Sequence, residues 1–135
     1  MGGNQSIKKV NFEDVKTQRN CLLISTLPSD EQSCLIEGTA SIVKEESIIN
    51  DNIQNKAINI IIYGKNANDE SIYKKYKQLL TMGFVNIYIY MGGLFEWLCL
   101  QDIYGENEFP TKGRELDILK YRAKSFFNAQ KLITY

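Results

Sequence analysis

Histidine is absent from this sequence of 135 residues, and cysteine is scarce. Without imidazole, neither a Ser-His-Asp nor a Cys-His arrangement can activate a nucleophile, and the usual imidazole-containing zinc sites are excluded. The three cysteines, Cys21, Cys34 and Cys99, form no Cys-X-X-Cys pair and would make a poor structural zinc site. We therefore predict reduced thiols packed as small hydrophobic groups in a cytoplasmic protein, with no metal and no cofactor.

Long apolar runs and a charge excess are also missing. No stretch approaches the roughly 18–20 apolar residues that span a bilayer, and no secretory signal is visible. The formal net charge is 0, which argues against nucleic-acid binding, since that needs a clustered positive excess. A hydrophobic content of 44% with 24% charged residues is typical of one folded domain.

The apolar pattern predicts strands and helices in alternation. Continuous apolar runs at 21–25, 57–63 and 85–90 indicate buried strands, and amphipathic spacing at 71–82 indicates a helix that ends at Gly83. Shorter elements are expected as a capped helix after Asn11, a strand at 39–42, and helices at 44–54, 94–98 and 111–121. Residues 1–9 are expected to lie outside the core, and Phe126 and Phe127 to be buried. Strand and helix in alternation favour a parallel sheet covered on its faces.

The run Ile60–Tyr63, a loop of about seven residues, a helix ending in Gly83-Phe84, the next strand, Gly92-Gly93 and Trp97 resemble the rhodanese-like domain. The resemblance covers residues 9–104 and implies an α/β three-layer sandwich with a mostly parallel central sheet. It leaves residues 1–8 as a flexible arm and 105–135 as a C-terminal extension that packs on the domain. The block from Phe95 to Tyr121 looks like a subgroup found in protists and large DNA viruses.

The resemblance also implies where a catalytic site would lie. An active rhodanese has its cysteine directly after the central strand, where loop amides and the next helix hold a persulfide or an oxyanion. Gly64 stands there, and the family's aspartate and histidine are matched by Ser25 and Leu35. The resemblance therefore implies a degenerate loop without a catalytic residue: Gly64, Lys65, Asn66, Ala67, Asn68, Asp69, Glu70 and Ser71.

The charges of this loop favour the same interpretation. Asp69 and Glu70 would repel an anionic substrate, and Lys65 offsets them only in part. Either Asn68 or Asp69 can cap the helix that begins near Ser71, where acidic groups also complement the helix dipole. We expect the carboxylates to fill the place that a substrate anion would take.

The first residues carry a possible lipidation signal. Met1 to Ser6 match the M-G-x-x-x-[ST] pattern for myristoylation of Gly2, and Lys8 and Lys9 follow. A single myristoyl chain binds membranes weakly and reversibly, and two lysines add a modest attraction for anionic lipid. The sequence thus predicts a protein that is peripheral on membranes at most.

The preferred functional hypothesis is a catalytically silent module that binds an as yet unidentified protein partner through the loop and the extension. A sulfurtransferase that uses a non-standard cysteine is the alternative. A small hydrolase that uses Asp69 and Glu70, and a binder of a cation or metabolite at the loop, also remain open.

Overall fold

The computed structural model describes residues 7–127, which form a four-stranded parallel sheet and a two-stranded antiparallel one. The elements in chain order are β1 (Lys8–Val10), α1 (Phe12–Thr17), β2 (Cys21–Ser25), β3 (Leu35–Ile36), α2 (Ile42–Asp51), β4 (Asn59–Tyr63), α3 (Ser71–Thr81), β5 (Asn86–Tyr90), α4 (Gly93–Tyr104) and β6 (Thr111–Lys112). The main sheet has the order β1-β5-β4-β2, and all its pairings are parallel. The predicted α/β fold, with helices flanking a parallel sheet, is confirmed.

The central strand β4 has a continuous apolar sequence because helices cover both of its faces. Successive side chains of a strand point to opposite faces, so Ile60 and Ile62 join a cluster with Ile72 and Leu79 of α3. Ile61 and Tyr63 face the other way and join a cluster that contains Leu94 and Trp97 of α4. The loop after β4 is therefore held between two packed layers.

The segment after α4 differs from its predicted structure. The helix expected at 111–121 is wrong: β6 pairs with β3, and Ile118–Tyr121 form one turn of 3-10 helix. Phe109 and Tyr121 are buried, but Phe126 and Phe127 are 68% and 74% exposed, so the expectation of their burial is also wrong. Gly113 explains part of the difference: its φ is +83°, and its Cα lies so close to the Ser33 carbonyl that a Cβ could not fit.

Near the N-terminus, one prediction holds and one fails. Asn11 caps α1 through a box with Asp14, as predicted: the Asp14 amide donates to Asn11 Oδ1 and the Asn11 amide donates to Asp14 Oδ2. Residues 7–9, however, are not outside the fold, because Lys8 and Lys9 pair with β5 and Ile7 packs on the core. The segment is short and polar, so no apolar run indicated this edge strand.

The strand predicted at 39–42 is also wrong. Thr39 makes only an isolated bridge to Leu23, and α2 already begins at Ile42 with Ser41 as its N-cap. Among residues 7–127, no helix has the length and apolar character needed to cross a membrane.

Candidate functional site

The loop of residues 64–70 lies at the carboxyl edge of the parallel sheet. It connects β4 to α3, and Tyr63 at its start is in register with Ser25 at the end of β2 and Tyr90 at the end of β5. Ligands of open α/β sheets bind at this edge, where helix N-termini and loop amides converge. The structure thus brings Gly64 to Ser71 together at one position.

The Asp69 carboxylate folds back into the loop and accepts its amides. The backbone N–H of Lys65 donates to Oδ2 at 2.9 Å, and the backbone N–H of Ser71 donates to Oδ1 at 3.0 Å. The Ser71 hydroxyl donates to Oδ1 at 2.7 Å. The carboxylate therefore takes the donors that would hold a bound anion.

The same carboxylate lies over Gly64. A Cβ built on Gly64 would be 2.5 Å from Asp69 Oδ2, 2.9 Å from its Cγ and 3.1 Å from its Cβ. Real side chains do not approach so closely, so any residue with a Cβ here requires Asp69 to move. Gly64 thus both lacks a nucleophile and leaves room for Asp69.

The pKa of Asp69 reflects this environment. Partial burial acts to raise the pKa, but hydrogen bonds from Lys65 and Ser71 and the nearby Lys65 charge outweigh it, so the pKa lies below its ordinary value. The carboxylate is ionised at neutral pH. Its Oδ1 accepts the amide of Ser71, the first residue of α3. The N-cap position itself is Glu70, whose side chain makes no capping bond, so the prediction of Asn68 or Asp69 as the cap is wrong by one or two residues. The backbone N–H of Asn68 donates to Asn66 Oδ1.

The N-terminus of α4 holds the first part of the loop. The Leu94 and Phe95 amides donate to the Gly64 and Lys65 carbonyls at 2.9 and 2.8 Å. Gly93 permits this close approach: its φ is +67°, and a Cβ there would be 2.7 Å from the Gly64 carbonyl oxygen. The glycine pair found in the sequence thus fixes the loop to α4.

The C-terminal extension forms the opposite wall of a cleft of about 720 Å³ above the loop. The Asn66 side-chain amide donates to the Tyr121 carbonyl at 2.9 Å and ties the two walls together. Basic and acidic side chains line the cleft: Lys65, Lys120, Arg122 and Lys124, with Asp69 and Glu70. Lys65 was evident from the sequence, but Lys120, Arg122 and Lys124 were not predicted to join the site, because they lie 50 or more residues after the loop.

Two of these lysines are neutralised by ion pairs. Lys65 Nζ lies 2.8 Å from Glu31 Oε2, and Lys120 Nζ lies 3.1 Å from Glu115 Oε1. The cleft is therefore of mixed charge, and the prediction of a simply acidic site needs this correction. Glu70 is exposed and lines the cleft, whereas Ala67 is exposed in the loop and does not line it.

The three thiols lie away from the loop or have raised pKa values. Cys21 begins β2 in register with Asn59, so it lies five residues along the strand direction from Gly64, about 16 Å at 3.3 Å per residue. Burial raises the pKa of Cys21 and of Cys34, and burial with nearby Asp102 and Glu96 raises that of Cys99. Such thiols are poor nucleophiles at neutral pH.

The positions that match the family's aspartate and histidine are structural here. Ser25 is buried, and its hydroxyl accepts the Leu27 amide at 3.0 Å. Leu35 is 2% exposed in the core. Next to them, the Tyr63 hydroxyl accepts the Ile36 amide at 3.1 Å and lies 2.7 Å from the Thr39 hydroxyl, and burial raises the Tyr63 pKa.

The remaining alternatives find little support in the geometry. A hydrolase would need Asp69 as a free acid or base, but its two oxygens accept three hydrogen bonds from Lys65 and Ser71. Within residues 7–127, no group of three or more acidic or cysteine side chains is arranged to hold a metal ion.

Comparisons with known proteins agree on one family. The profile of the rhodanese-like domain matches residues 12–99. A crystal structure of the Alr3790 protein from Anabaena sp. is 17% identical, with a TM-score of 0.57 over 83% of this chain and 98% of that one. A solution structure of the rhodanese-like domain from the same protein is 19% identical, with a TM-score of 0.57 over 90% of each chain. At these identities the solved structures support the fold alone. No curated protein matches the chain.

Proposed function

This chain belongs to the rhodanese-like domain family, and we propose that it is a catalytically silent member that acts by binding a protein partner. The observation that carries the proposal is the Asp69 carboxylate, which accepts the loop amides and lies where the Cβ of a residue at position 64 would be. The subgroup of protists and large DNA viruses stays part of this proposal and rests on the block from Phe95 to Tyr121.

The proposed lack of sulfur-transfer activity rests on two features of the loop. Sulfur transfer needs a thiolate next to amides that can receive a persulfide or an oxyanion. Position 64 supplies no thiol, and the amides of Lys65 and Ser71 already donate to a carboxylate. An oxyanion would have to displace Asp69 from three hydrogen bonds and then tolerate its charge nearby.

An assay of sulfur transfer from thiosulfate to cyanide, with the purified protein, tests the proposed lack of catalytic activity. We expect thiocyanate formation at the level of buffer, with an active rhodanese as positive control. Turnover above that level would contradict the proposal, and a variant with all three cysteines replaced by serine would show whether a thiol is responsible.

The alternative of a non-standard cysteine makes a different prediction about the thiols. A sulfur-accepting cysteine needs a lowered pKa, so iodoacetamide at pH 6 would label it rapidly. We expect no cysteine to react faster than free cysteine. Rapid labelling of Cys21 or Cys99 would favour the sulfurtransferase.

A binding role is supported by the surface around the cleft. The extension exposes large apolar side chains beside it: Leu116 at 84%, Leu119 at 58%, Phe126 at 68% and Phe127 at 74%. Exposed apolar groups next to charged ones are typical of protein-binding surfaces. The partner would contact the loop and the extension together, because the Asn66 bond to Tyr121 joins them.

Affinity capture with matched variants tests this surface. Glu70→Lys reverses one charge at the cleft. Asp69 is left unchanged because its carboxylate accepts the hydrogen bonds that hold the loop. Glu46→Lys on the exposed side of α2 is the control with the same charge change. A protein captured by wild type and Glu46→Lys, but not by Glu70→Lys, would support the proposal. Equal capture by all three would contradict the assignment to the cleft.

A membrane tether through Gly2 completes the proposed function. The residue lies outside the described residues, so the proposal rests on the motif at residues 1–6 and on Lys8 and Lys9 after it. One myristoyl chain gives only weak, reversible binding, so the protein would be peripheral on membranes. Growth with an alkynyl myristate should label wild type and not Gly2→Ala; labelling of neither would contradict the tether.

A further inference from the structure

The two walls of the cleft above the loop carry exposed charges of opposite sign. Arg122 and Lys124 line the wall that the extension forms, and Glu70 lines the wall that the loop forms. All three side chains are exposed. Because the bond from the Asn66 side-chain amide to the Tyr121 carbonyl joins the two walls, these charges border the same cleft.

The other charged side chains of the cleft are already compensated within the protein. Lys65 and Lys120 each form the ion pair described above. The Asp69 carboxylate accepts three hydrogen bonds from the loop. The three exposed side chains are therefore the charges that a ligand of the cleft can use.

The Arg122 guanidinium is held in place and still has donors to offer. Its Nη1 donates to the Leu119 carbonyl at 2.8 Å. Its remaining N–H groups can form two parallel hydrogen bonds with one carboxylate. Among residues 7–127, no salt bridge involves Arg122, Lys124 or Glu70. A partner can thus reach both cations and the carboxylate.

The spacing of the two cations fits an extended peptide. The Arg122 backbone is extended, with φ of −65° and ψ of 157°, and Lys124 follows two residues later. Residues two apart in an extended chain are about 7 Å apart and point to the same side. Two acidic residues separated by one residue in a partner segment would therefore each meet one cation.

The cleft has room for a few residues of such a segment. Its volume of about 720 Å³ lies within the range of about 300–1,000 Å³ that is typical of ligand sites. Directly after this wall in the chain, Phe126 and Phe127 are 68% and 74% exposed. Their rings add apolar surface that a longer segment of a protein can cover.

The acidic wall argues against a purely anionic ligand. A nucleic acid or an anionic membrane that approached Arg122 and Lys124 would also meet the Glu70 carboxylate, which repels it. A membrane surface is also too broad to enter a cleft between two walls. A protein segment can instead carry both signs of charge.

We propose that the cleft binds an extended protein segment with two acidic residues on one side and a basic residue on the other. The acidic residues contact Arg122 and Lys124, and the basic residue contacts Glu70. Opposite charges on the two walls fix the orientation of the segment. This inference rests on the proposed function, because it assigns the chemistry of the partner that binds this cleft.

The test selects ligands for the full chain from a phage-displayed library of random dodecapeptides. We expect the enriched peptides to share two acidic residues separated by one residue, with a basic residue nearby. One such peptide is then synthesised, together with a charge-swapped version in which the acidic residues become lysine and the basic residue becomes glutamate. Fluorescence anisotropy measures the affinity of both peptides for wild type and variants.

The variants separate the two walls from the overall charge. The wall variant is Arg122→Gln with Lys124→Gln, and the loop variant is Glu70→Gln. The control variant, Lys44→Gln with Lys77→Gln, has the same net charge as the wall variant, but these exposed lysines of α2 and α3 do not line the cleft. Urea denaturation of each variant shows that it is folded.

An exposed ion pair contributes up to about fivefold to affinity, so we expect the wall variant to bind the selected peptide about tenfold more weakly than wild type, and the loop variant about threefold more weakly. The control variant should bind as wild type. The charge-swapped peptide should bind wild type poorly. It should bind well to the reversed protein, Arg122→Glu with Lys124→Glu and Glu70→Lys.

Equal affinity of the wall and control variants for the selected peptide would overturn the inference, as would enrichment of uniformly acidic peptides or of none. Anionic vesicles or single-stranded DNA that bind through Arg122 and Lys124 as tightly as the peptide would overturn the choice of a protein segment. The proposed function fails separately: capture of a partner protein that depends on Glu70 but not on the two cations would refute only the chemistry assigned here.

Discussion

A methyl group at position 64 tests the geometry of the loop most sharply. Gly64 has no positive φ, so alanine is compatible with its backbone, and the three heavy atoms nearest to the new Cβ all belong to Asp69. At 2.5 Å from Oδ2 and 3.1 Å from the Asp69 Cβ, the new methyl group leaves the carboxylate no room. Gly64→Ala should therefore expel Asp69 from the loop.

The cost follows from the hydrogen bonds that are lost. Asp69 accepts three, from the Lys65 amide, the Ser71 amide and the Ser71 hydroxyl. Bonds to a charged acceptor contribute about 1.5–3 kcal/mol each when buried, and water in the cleft replaces much of this. We expect Gly64→Ala to lower the free energy of unfolding by about 2–3 kcal/mol, and Asp69→Ala to lower it by a similar amount.

The double variant provides the decisive comparison. Once Asp69 is alanine, the methyl group at position 64 meets no carboxylate, and only the contact of 3.1 Å with the Cβ of residue 69 remains. Gly64→Ala with Asp69→Ala should therefore cost little more than either single change. Equilibrium urea denaturation at pH 7 of the four proteins measures a coupling of about 2–3 kcal/mol. Additive costs, or a Gly64→Ala protein as stable as wild type, would refute the reasoning.

Further predictions concern pH, packing and the thiols. Because folding lowers the pKa of Asp69, its carboxylate stabilises the protein above the unfolded pKa, and this stabilisation is lost as the pH falls through the folded pKa. Thermal unfolding should show Asp69→Asn less stable than wild type at pH 7. The difference in stability between the two proteins should close below about pH 4. Gly93→Ala should lower the free energy of unfolding in urea by about 3 kcal/mol or more, since backbone strain and overpacking combine. Gly38→Ala is the control, because Gly38 has a φ of +91° but open space around it, and it should cost about 1 kcal/mol. Equal costs would contradict the close approach of α4 to the loop. Tyr63→Phe should lower stability by about 1–2 kcal/mol, because the buried Ile36 amide loses its acceptor, and a neutral result would contradict that bond. Cys34 is fully buried and should resist iodoacetamide until urea unfolds the protein, which mass spectrometry can follow; rapid native labelling would show that the core opens there.

The sheet could be predicted because its signals are local. The apolar runs of β2, β4 and β5 and the single apolar stripe of α3 determine burial on both faces or on one face. The capping box of α1 is equally local, since Asn11 and Asp14 satisfy each other within one turn. Where a few neighbouring residues decide the structure, sequence reasoning succeeds.

The failures share a different cause. β1 and β6 are strands of three and two residues whose pairing partners lie about 80 residues away in β5 and β3, so tertiary contacts override their weak propensity. For the same reason the periodicity at 111–121 predicted a helix where β6 forms. Local patterns hold no information about such distant pairings.

Of the candidate site, only the position and the composition of the loop after β4 could be predicted from the sequence. Position 64 and the acidic loop were evident from the sequence, and the structure brings these residues together. The basic wall from Lys120 to Lys124 depends on folding of the extension over the loop. The bond from the Lys65 amide to the Asp69 carboxylate depends on the conformation of the loop itself. Neither could be read from spacing.

The central claim is that Asp69 occupies the loop amides and thereby closes the site to substrate anions. Amide NMR of the Lys65 and Ser71 signals during titration with thiosulfate measures this directly. We predict that neither signal shifts in the wild-type protein, and that both shift in Asp69→Ala. Saturable shifts of these two amides in the wild type would contradict the account.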